Sequence, residues 1–266
     1  MLERVRALSV DDPRIAQLRD AAERAIHEGN FGYAEQLLNE ASARDLAAAQ
    51  ELQDIMTKHL LAAAEAKAIN GALKMTQLAY AEAANYYRQA AELVEHMPVG
   101  SEEHFSRFLN EWGVASYHAG DYRDAERPLQ RGLAICEAVL GAQHPEVATS
   151  LNNLAELYRV QGRYADAEPY HQRALAIWEK VHGSEHPDVA TSLNNLALLY
   201  ASQGRYAEAE PFYQRALAIC EMVLGAQHPN VAMCFDNLAG LYRAQGRYGE
   251  AQELESRARK IRAHHS

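Results

Sequence analysis

A block of sequence in the second half of this chain returns every 42 residues. Residues 151–155 (LNNLA) recur unchanged at 193–197 and as FDNLA at 235–239, and Gly162-Arg163-Tyr164 recurs at 204–206 and 246–248. A fixed period of this length is typical of stacked repeats, in which each unit buries its apolar face only against its neighbours. Such arrays present a long surface, so the period favours a binding function over catalysis.

Each unit is predicted to be a pair of antiparallel helices. Leu151, Leu154 and Tyr158 fall at i, i+3 and i+7 and form one apolar stripe at helical period. Pro145 suits the first turn of this helix because its missing N–H has no partner to lose there. Gly162 is predicted to end it in a left-handed conformation. A second periodic run follows over 164–181, before Gly183.

The period divides the chain into a regular and a degenerate part. We predict a regular array over residues 101–266, with units at about 101–141, 142–183, 184–225 and 226–264. Residues 1–98 carry the pattern only in outline, with loose turns near 29–31 and 76–80, and are expected to cap the array. Residues 47–68 are alanine-rich without Gly or Pro, which predicts one long helix. Stacking is expected to continue across the short boundary at 97–101.

Composition excludes several classes of function. The net charge of −10 argues against a nucleic-acid binder, which needs a basic surface. No run of 18 apolar residues occurs, so no membrane span is expected. The three cysteines have no C-x-x-C spacing, and together with the absence of a secretory signal they favour a reduced, cytoplasmic setting.

The repeated motifs resemble the tetratricopeptide repeat in its longer, kinesin-light-chain-like form. The matching strings are LNNLAELY at 151–158, QGRY at 161–164, AEP at 167–169 and RALAI at 173–177, with HPEVATS at 144–150 leading into them. The resemblance implies an all-α, right-handed superhelical solenoid of antiparallel helical hairpins. It also implies a concave groove, lined by the first helix of each hairpin, that holds a peptide or segment of another protein.

The resemblance also implies which residues face the groove. Asn110, Asn152, Asn194 and Asp236 occupy an outer position, for which partner contact is favoured. Asn153, Asn195 and Asn237 lie beside them, toward the neighbouring hairpin, and either a structural or a binding role remains open. The other candidates lie one turn before or one or two turns after: Thr149, Thr191, Glu156, Leu198, Arg159 and Arg243.

The residue types in this set leave the nature of the ligand open. Amide side chains can both donate and accept hydrogen bonds along a peptide backbone. Arg159 and Arg243 would suit an acidic peptide, whereas Glu111, Glu156 and Asp236 bring negative charge to the same surface. The lysine-rich clamp of chaperone-binding relatives is absent, which disfavours recognition of a C-terminal carboxylate.

Neither catalysis nor metal binding is predicted. No phosphate-binding, metalloprotease or serine-nucleophile motif is present, and no cofactor is expected. His144, His186 and His228 recur at one loop position, where the array should hold them too far apart to share a metal ion. The alternative function is a self-assembling or sensory module of a larger signalling system. It is suggested by the lack of a polar capping helix at the C-terminal end, where two copies could pair.

Overall fold

The computed structural model describes residues 13–28, 30–97 and 100–264, and all regular secondary structure in these ranges is α-helical. The helices are α1 (Pro13–His27), α2 (Phe31–Thr76), α3 (Tyr80–Val94), α4 (Glu102–His118), α5 (Tyr122–Leu140), α6 (Pro145–Val160), α7 (Tyr164–His182), α8 (Pro187–Ser202), α9 (Tyr206–Leu224), α10 (Pro229–Ala244) and α11 (Tyr248–His264). Among them, no helix is both long enough and apolar enough to cross a lipid bilayer.

The first helices of the last three regular hairpins begin at a proline behind a histidine cap. Helices α6, α8 and α10 start at Pro145, Pro187 and Pro229, where proline has no hydrogen bond to lose. The preceding histidine accepts the N–H of the second helical residue at its Nδ1 atom, as Glu146 N–H does to His144 at 3.3 Å. The recurring loop histidines are therefore helix caps.

In the last three regular hairpins, the turn between the two helices is held by a glycine and an arginine. Gly162, Gly204 and Gly246 have positive φ values between 75° and 78°, a conformation that a side chain would strain. In the second hairpin the next residue, Arg163, lies 4.0 Å from the centre of the Tyr158 ring and pairs with Glu126 of the preceding hairpin at 2.7 Å. This pattern recurs at each later turn and couples adjacent units.

A continuous apolar core runs through the regular units. Leu151, Leu154 and Leu157 are at most 1% exposed, as predicted from the stripe on the first helix. Equivalent leucines of α8 and α10 join them, and one cluster extends from Ala125 on α5 to Ile261 on α11. No hairpin could bury these side chains alone, so the core stabilises the stack as a whole.

The N-terminal part differs from the regular units because α2 is 46 residues long. It contains the predicted helix at 47–68 and packs against both α1 and α3, so two successive hairpins share one uninterrupted helix. The loose turn near 29–31 does separate α1 from α2, although residue 29 lies outside the described residues. Stacking continues past residue 97, because Val94 on α3 and Phe105 on α4 belong to one buried cluster.

Candidate peptide-binding groove

The first helices of the regular hairpins, α4, α6, α8 and α10, lie side by side and contact one another in sequence. Two cavities open along this row, with volumes of about 300 Å³ and about 270 Å³. The first is lined by Val114, Tyr117, His118, Leu129, Asn153, Glu156 and Asn195. The second is lined by Pro187, Ala190, Thr191, Asn194, Asn195, Cys220, Leu224, Asn230, Met233, Cys234 and Asn237. We call this row of cavities the groove.

Six of the residues predicted to face a partner line these cavities: Asn153, Glu156, Thr191, Asn194, Asn195 and Asn237. All three inner asparagines are among them. Of the outer set, only Asn194 lines a cavity. The groove that the structure forms is therefore centred on the inner position, where sequence reasoning left a structural role and a binding role equally open.

Amide side chains link neighbouring hairpins across the groove. Asn153 on α6 donates through Nδ2 to Oδ1 of Asn110 on α4 at 3.1 Å. Asn237 on α10 donates in the same way to Asn194 on α8 at 2.7 Å. Each pair joins an inner to an outer asparagine of the preceding unit. The bond uses one donor of the inner amide and one acceptor of the outer amide, so both retain further hydrogen-bonding capacity.

The ladder is interrupted between α6 and α8 because His171 engages the outer asparagine there. His171 on α7 is fully buried, and its Nδ1 lies 2.9 Å from Oδ1 of Asn152. Burial lowers the pKa of His171 to about 4, so the ring is neutral near pH 7. Its Nδ1 then carries the proton, because the Oδ1 of Asn152 can only accept.

Asn152 is consequently used within the array, although the sequence favoured partner contact for it. Its Nδ2 atom donates to Oγ of Ser192 on α8 at 3.1 Å, while its Oδ1 accepts from His171. The repeat position of His171 is occupied by Leu129 and Tyr213 in the flanking units, and neither makes this contact. The different residue at this repeat position on α7 thus changes the partner of the Asn152 amide. The sequence around Asn152 itself did not indicate this.

Asn195 is the one inner asparagine whose amide is not bonded to a neighbouring hairpin in the described part of the chain. Its equivalents Asn153 and Asn237 each donate to Oδ1 of an outer asparagine, whereas Oδ1 of Asn152 accepts from His171 instead. Within the described ranges the Asn195 side chain has no hydrogen-bond partner, and it lines both cavities. It can therefore offer two donors and one acceptor to a ligand without breaking an existing bond.

The charged candidates are paired within the protein. Arg159 forms two bonds to the Glu156 carboxylate, at 2.8 and 2.7 Å, and a third to Oγ of Ser202 at 3.3 Å. Tyr117 donates its hydroxyl to Glu156 at 3.0 Å. Burial opposes ionisation of Glu156, but the bonds from Arg159 and Tyr117 outweigh it and lower its pKa. The pair is therefore charged and mutually neutralised.

The same compensation occurs at the C-terminal end of the row. Arg243 lies 2.7 Å from the Glu255 carboxylate on α11, and Asp236 pairs with Arg262 of the same helix. Both side chains thus form ion pairs with α11, the second helix of their own hairpin. With Arg159 also neutralised, the arginines that could have selected an acidic peptide have local partners.

The remaining candidates make local or apolar contacts. Thr149 and Thr191 are exposed and donate back to the carbonyls of Pro145 and Pro187, four residues earlier. Leu198 is half-buried and packs against the main core cluster. Thr191 lines the second cavity together with Asn195, whereas Leu198 lines neither cavity.

One cluster of metal-ligand type occurs in the described part of the chain, at the loop before α8. Potential ligand atoms of His182, His186 and Asp188 lie within 4.8 Å of one another. However, Nδ1 of His186 already accepts the backbone N–H of Asp188 as the helix cap, at 3.3 Å. The two imidazoles are stacked at 4.2 Å between ring centres and nearly parallel, so a metal cannot lie in the plane of both rings without rearrangement.

Sequence reasoning also missed a pair of thiols at the groove floor. Cys220 on α9 and Cys234 on α10 are both unbonded cysteines, and their Sγ atoms lie 3.5 Å apart. Their separation in sequence gave no motif. Only the packing of α9 against α10 brings them together.

Comparison with known proteins identifies the class. The sequence profile of the tetratricopeptide repeat family matches residues 105–163, 147–222 and 189–263, which together span more than half of the chain. The chain therefore belongs to the tetratricopeptide repeat family, with kinesin-light-chain-like repeats as predicted. A search of the curated protein sequences finds no match.

Solved structures support the same fold. BtubC (BKLC) from P. vanneervenii superposes with a TM-score of 0.67 at 23% identity, covering 94% of this chain and 91% of that one. A kinesin-light-chain-like protein from Podosopora anserina gives 0.64 at 25% identity, covering 76% and 96%. A Rap protein complexed with competence and sporulation factor gives 0.66 at 16% identity, covering 94% and 76%. The predicted all-α solenoid of helical hairpins is confirmed.

Proposed function

We propose that the groove captures an extended segment of another protein or a peptide, and that the protein acts as a non-enzymatic scaffold. The observation that carries this proposal is the unpaired amide of Asn195, which lines both cavities. An asparagine pair lies on either side of it, Asn110–Asn153 and Asn194–Asn237. An extended backbone alternates N–H donors and C=O acceptors along its length. A row of amides repeated from hairpin to hairpin matches that alternation without requiring a particular ligand sequence.

The charge pairing favours a ligand without a dominant charge. Arg159 is satisfied by Glu156 and Ser202, and Arg243 by Glu255. Engaging either arginine with an acidic side chain would first break an existing ion pair. We therefore propose apolar and uncharged polar residues in the bound segment, with Thr191 and Met233 supplying apolar contact.

Two further considerations support peptide capture. The Rap structures that share this fold were solved complexed with competence and sporulation factor and, for a plasmid pLS20 regulator, with the Phr* peptide. The first helices are also held in register by core packing and by the arginine–tyrosine turns, so the groove amides are ordered before a ligand arrives. Pre-organisation of this kind reduces the entropic cost of binding.

We place the activity in the cytoplasm, where the three cysteines would remain reduced.

The proposal is tested by selecting ligands and then removing the central amide. A random peptide library displayed on phage is selected against the full chain, and the dissociation constants of selected peptides are measured by fluorescence polarisation. Asn195→Ala should weaken binding about fivefold to tenfold, the value of about one hydrogen bond. Its thermal stability should match the wild type, because no bond within the described ranges is lost.

A matched control separates groove binding from general adhesion. Gln252 is an exposed amide on α11 that lines neither cavity, and Gln252→Ala should leave the dissociation constant within about twofold. Equal affinity of the wild type and Asn195→Ala would refute the groove assignment. The self-assembly alternative is examined on the same samples by light scattering, where the proposal predicts a monomer of 29.6 kDa.

A further inference from the structure

The thiol pair at the groove floor links two consecutive hairpins. Cys234 on α10 donates its S–H to Sγ of Cys220 on α9 across 3.5 Å. The two residues are only 8% and 9% exposed, yet both line the cavity of about 270 Å³, which gives a small molecule a path to the sulfur atoms. A disulfide has a sulfur–sulfur distance of about 2.05 Å, so the atoms must approach by about 1.5 Å.

Comparison among the repeats shows that the fold does not require this pair. The position of Cys220 is occupied by Cys136 and Trp178 in the preceding units, and that of Cys234 by Ser150 and Ser192. Both serines are buried, like Cys234. The same site thus accepts serine twice without loss of the helical hairpin. Among these three junctions, two thiols coincide only where α9 meets α10.

The hydrogen bond differentiates the two sulfur atoms. It lowers the pKa of Cys220 despite burial, because the thiolate accepts the S–H of Cys234. The same bond, together with burial, raises the pKa of Cys234. Cys136 has no such donor, and burial raises its pKa to about 11. Since the thiolate is the reactive form, these directions favour Cys220 as the thiol that attacks an oxidant.

We propose that Cys220 and Cys234 form a reversible disulfide when the protein is exposed to hydrogen peroxide. The Cys220 thiolate attacks one peroxide oxygen, the O–O bond breaks, and the displaced hydroxide takes up a proton to become water. The product is a sulfenic acid on Cys220. Cys234 then attacks that sulfur, the S–S bond forms, the S–O bond breaks, and a second water leaves. The two thiols lose two electrons, one peroxide gains them, and a dithiol reductant reverses the reaction.

This cross-link would tie the third regular hairpin to the fourth beneath the Asn194–Asn237 amide pair. Oxidation would therefore fix the local spacing of α8 and α10, where the second cavity lies. The chemistry itself depends only on the two sulfurs and the access path. This reaction does not depend on whether the groove binds a peptide.

The test counts free thiols after oxidation of the full chain. The protein is treated with one equivalent of hydrogen peroxide, quenched with catalase, denatured and alkylated with N-ethylmaleimide, and its intact mass is measured. The wild type should carry a single adduct, on Cys136, and should have lost two hydrogen atoms. Peptide mapping should recover Cys220 joined to Cys234, and prior reduction with dithiothreitol should restore all three adducts.

Two variants make the result specific. Cys234→Ser introduces the residue found in the two preceding units, so it should fold, as circular dichroism can verify. It should form no disulfide, and its Cys220 should be trapped by dimedone as the sulfenic acid. Cys136→Ser should retain the cross-link. Three alkylatable thiols in the oxidised wild type, a bond that includes Cys136, or a bond between two molecules would each overturn the proposal.

Discussion

The wild type should lose stability in mild acid because of His171, and the substitution His171→Leu should abolish that effect. The neutral ring is buried and donates to Asn152, and its pKa is lowered from 6.5 to about 4. In the unfolded chain the ring binds a proton below pH 6.5, whereas in the folded protein it does so only near pH 4. Between these values the unfolded state binds more protons, so stability falls as the pH falls.

The two pKa values determine the size of the effect. Acidification from pH 7 to pH 4.5 should cost the wild type about 2.5 kcal/mol through this site alone. Leucine occupies the equivalent position in the preceding unit as Leu129, so His171→Leu has a precedent in this fold. The variant loses the bond to Asn152 at pH 7. Relative to the wild type, however, it should regain about 2.5 kcal/mol on acidification.

Urea unfolding of both proteins at pH 7 and pH 4.5 measures this difference. The contributions of carboxylates to the pH dependence cancel, because both proteins contain the same carboxylates. The neighbouring charges Glu156 and Arg159 act on His171 in opposite directions and stay paired. The imidazole pKa can be read directly by NMR, with the signal assigned by its absence in the variant. A folded-state pKa of 6 or above, or parallel loss of stability in both proteins, would refute this account of the buried ring.

Three further substitutions, together with one control, test the packing and the network. Leu154→Ala should cost about 2–5 kcal/mol in urea unfolding, as a core truncation at a residue that is 1% exposed; a cost below 1 kcal/mol would contradict the stacked core. Asn152→Ala should cost about 1–3 kcal/mol by leaving the His171 N–H buried without an acceptor, whereas the exposed Thr191→Ala should change stability by less than about 0.5 kcal/mol. Gly204→Ala should cost about 1 kcal/mol from its φ of +75° alone, since nothing lies within 4 Å of the added Cβ; no change in melting temperature would argue against that turn.

The fold of the regular units could be predicted because its signals are local and repeated. Pro145 and Gly162 mark a helix start and a turn through their own backbone preferences. The apolar stripe through Leu154 then follows from helical period alone. The last three units carry the same signals, so each of these supports the prediction for the next. The long helix α2 was only partly predicted, because the stretch 47–68 carries no Gly or Pro to mark its ends, and the helix continues through Gly32 and Gly71, where packing against α1 and α3 decides.

The candidate site was harder to predict because it depends on contacts between units. The amides of Asn153 and Asn195 occupy the same place in motifs that match letter for letter, yet Asn153 bonds to the preceding hairpin and Asn195 does not. The cause is His171, which lies on a different helix from either. In the same way, the pairing of Arg159 with Glu156 depends on rotamers that the pattern of residue types cannot specify.

The most direct test of peptide capture is to follow the side-chain amide of Asn195 by NMR while a phage-selected peptide is added. The account predicts that the ¹H and ¹⁵N shifts of this amide change with the same dissociation constant that fluorescence polarisation gives. The signals of Asn153 and Asn237 should shift with it, and that of Gln252 should stay in place. Saturation of the protein with peptide while the Asn195 amide remains unshifted would contradict the central claim.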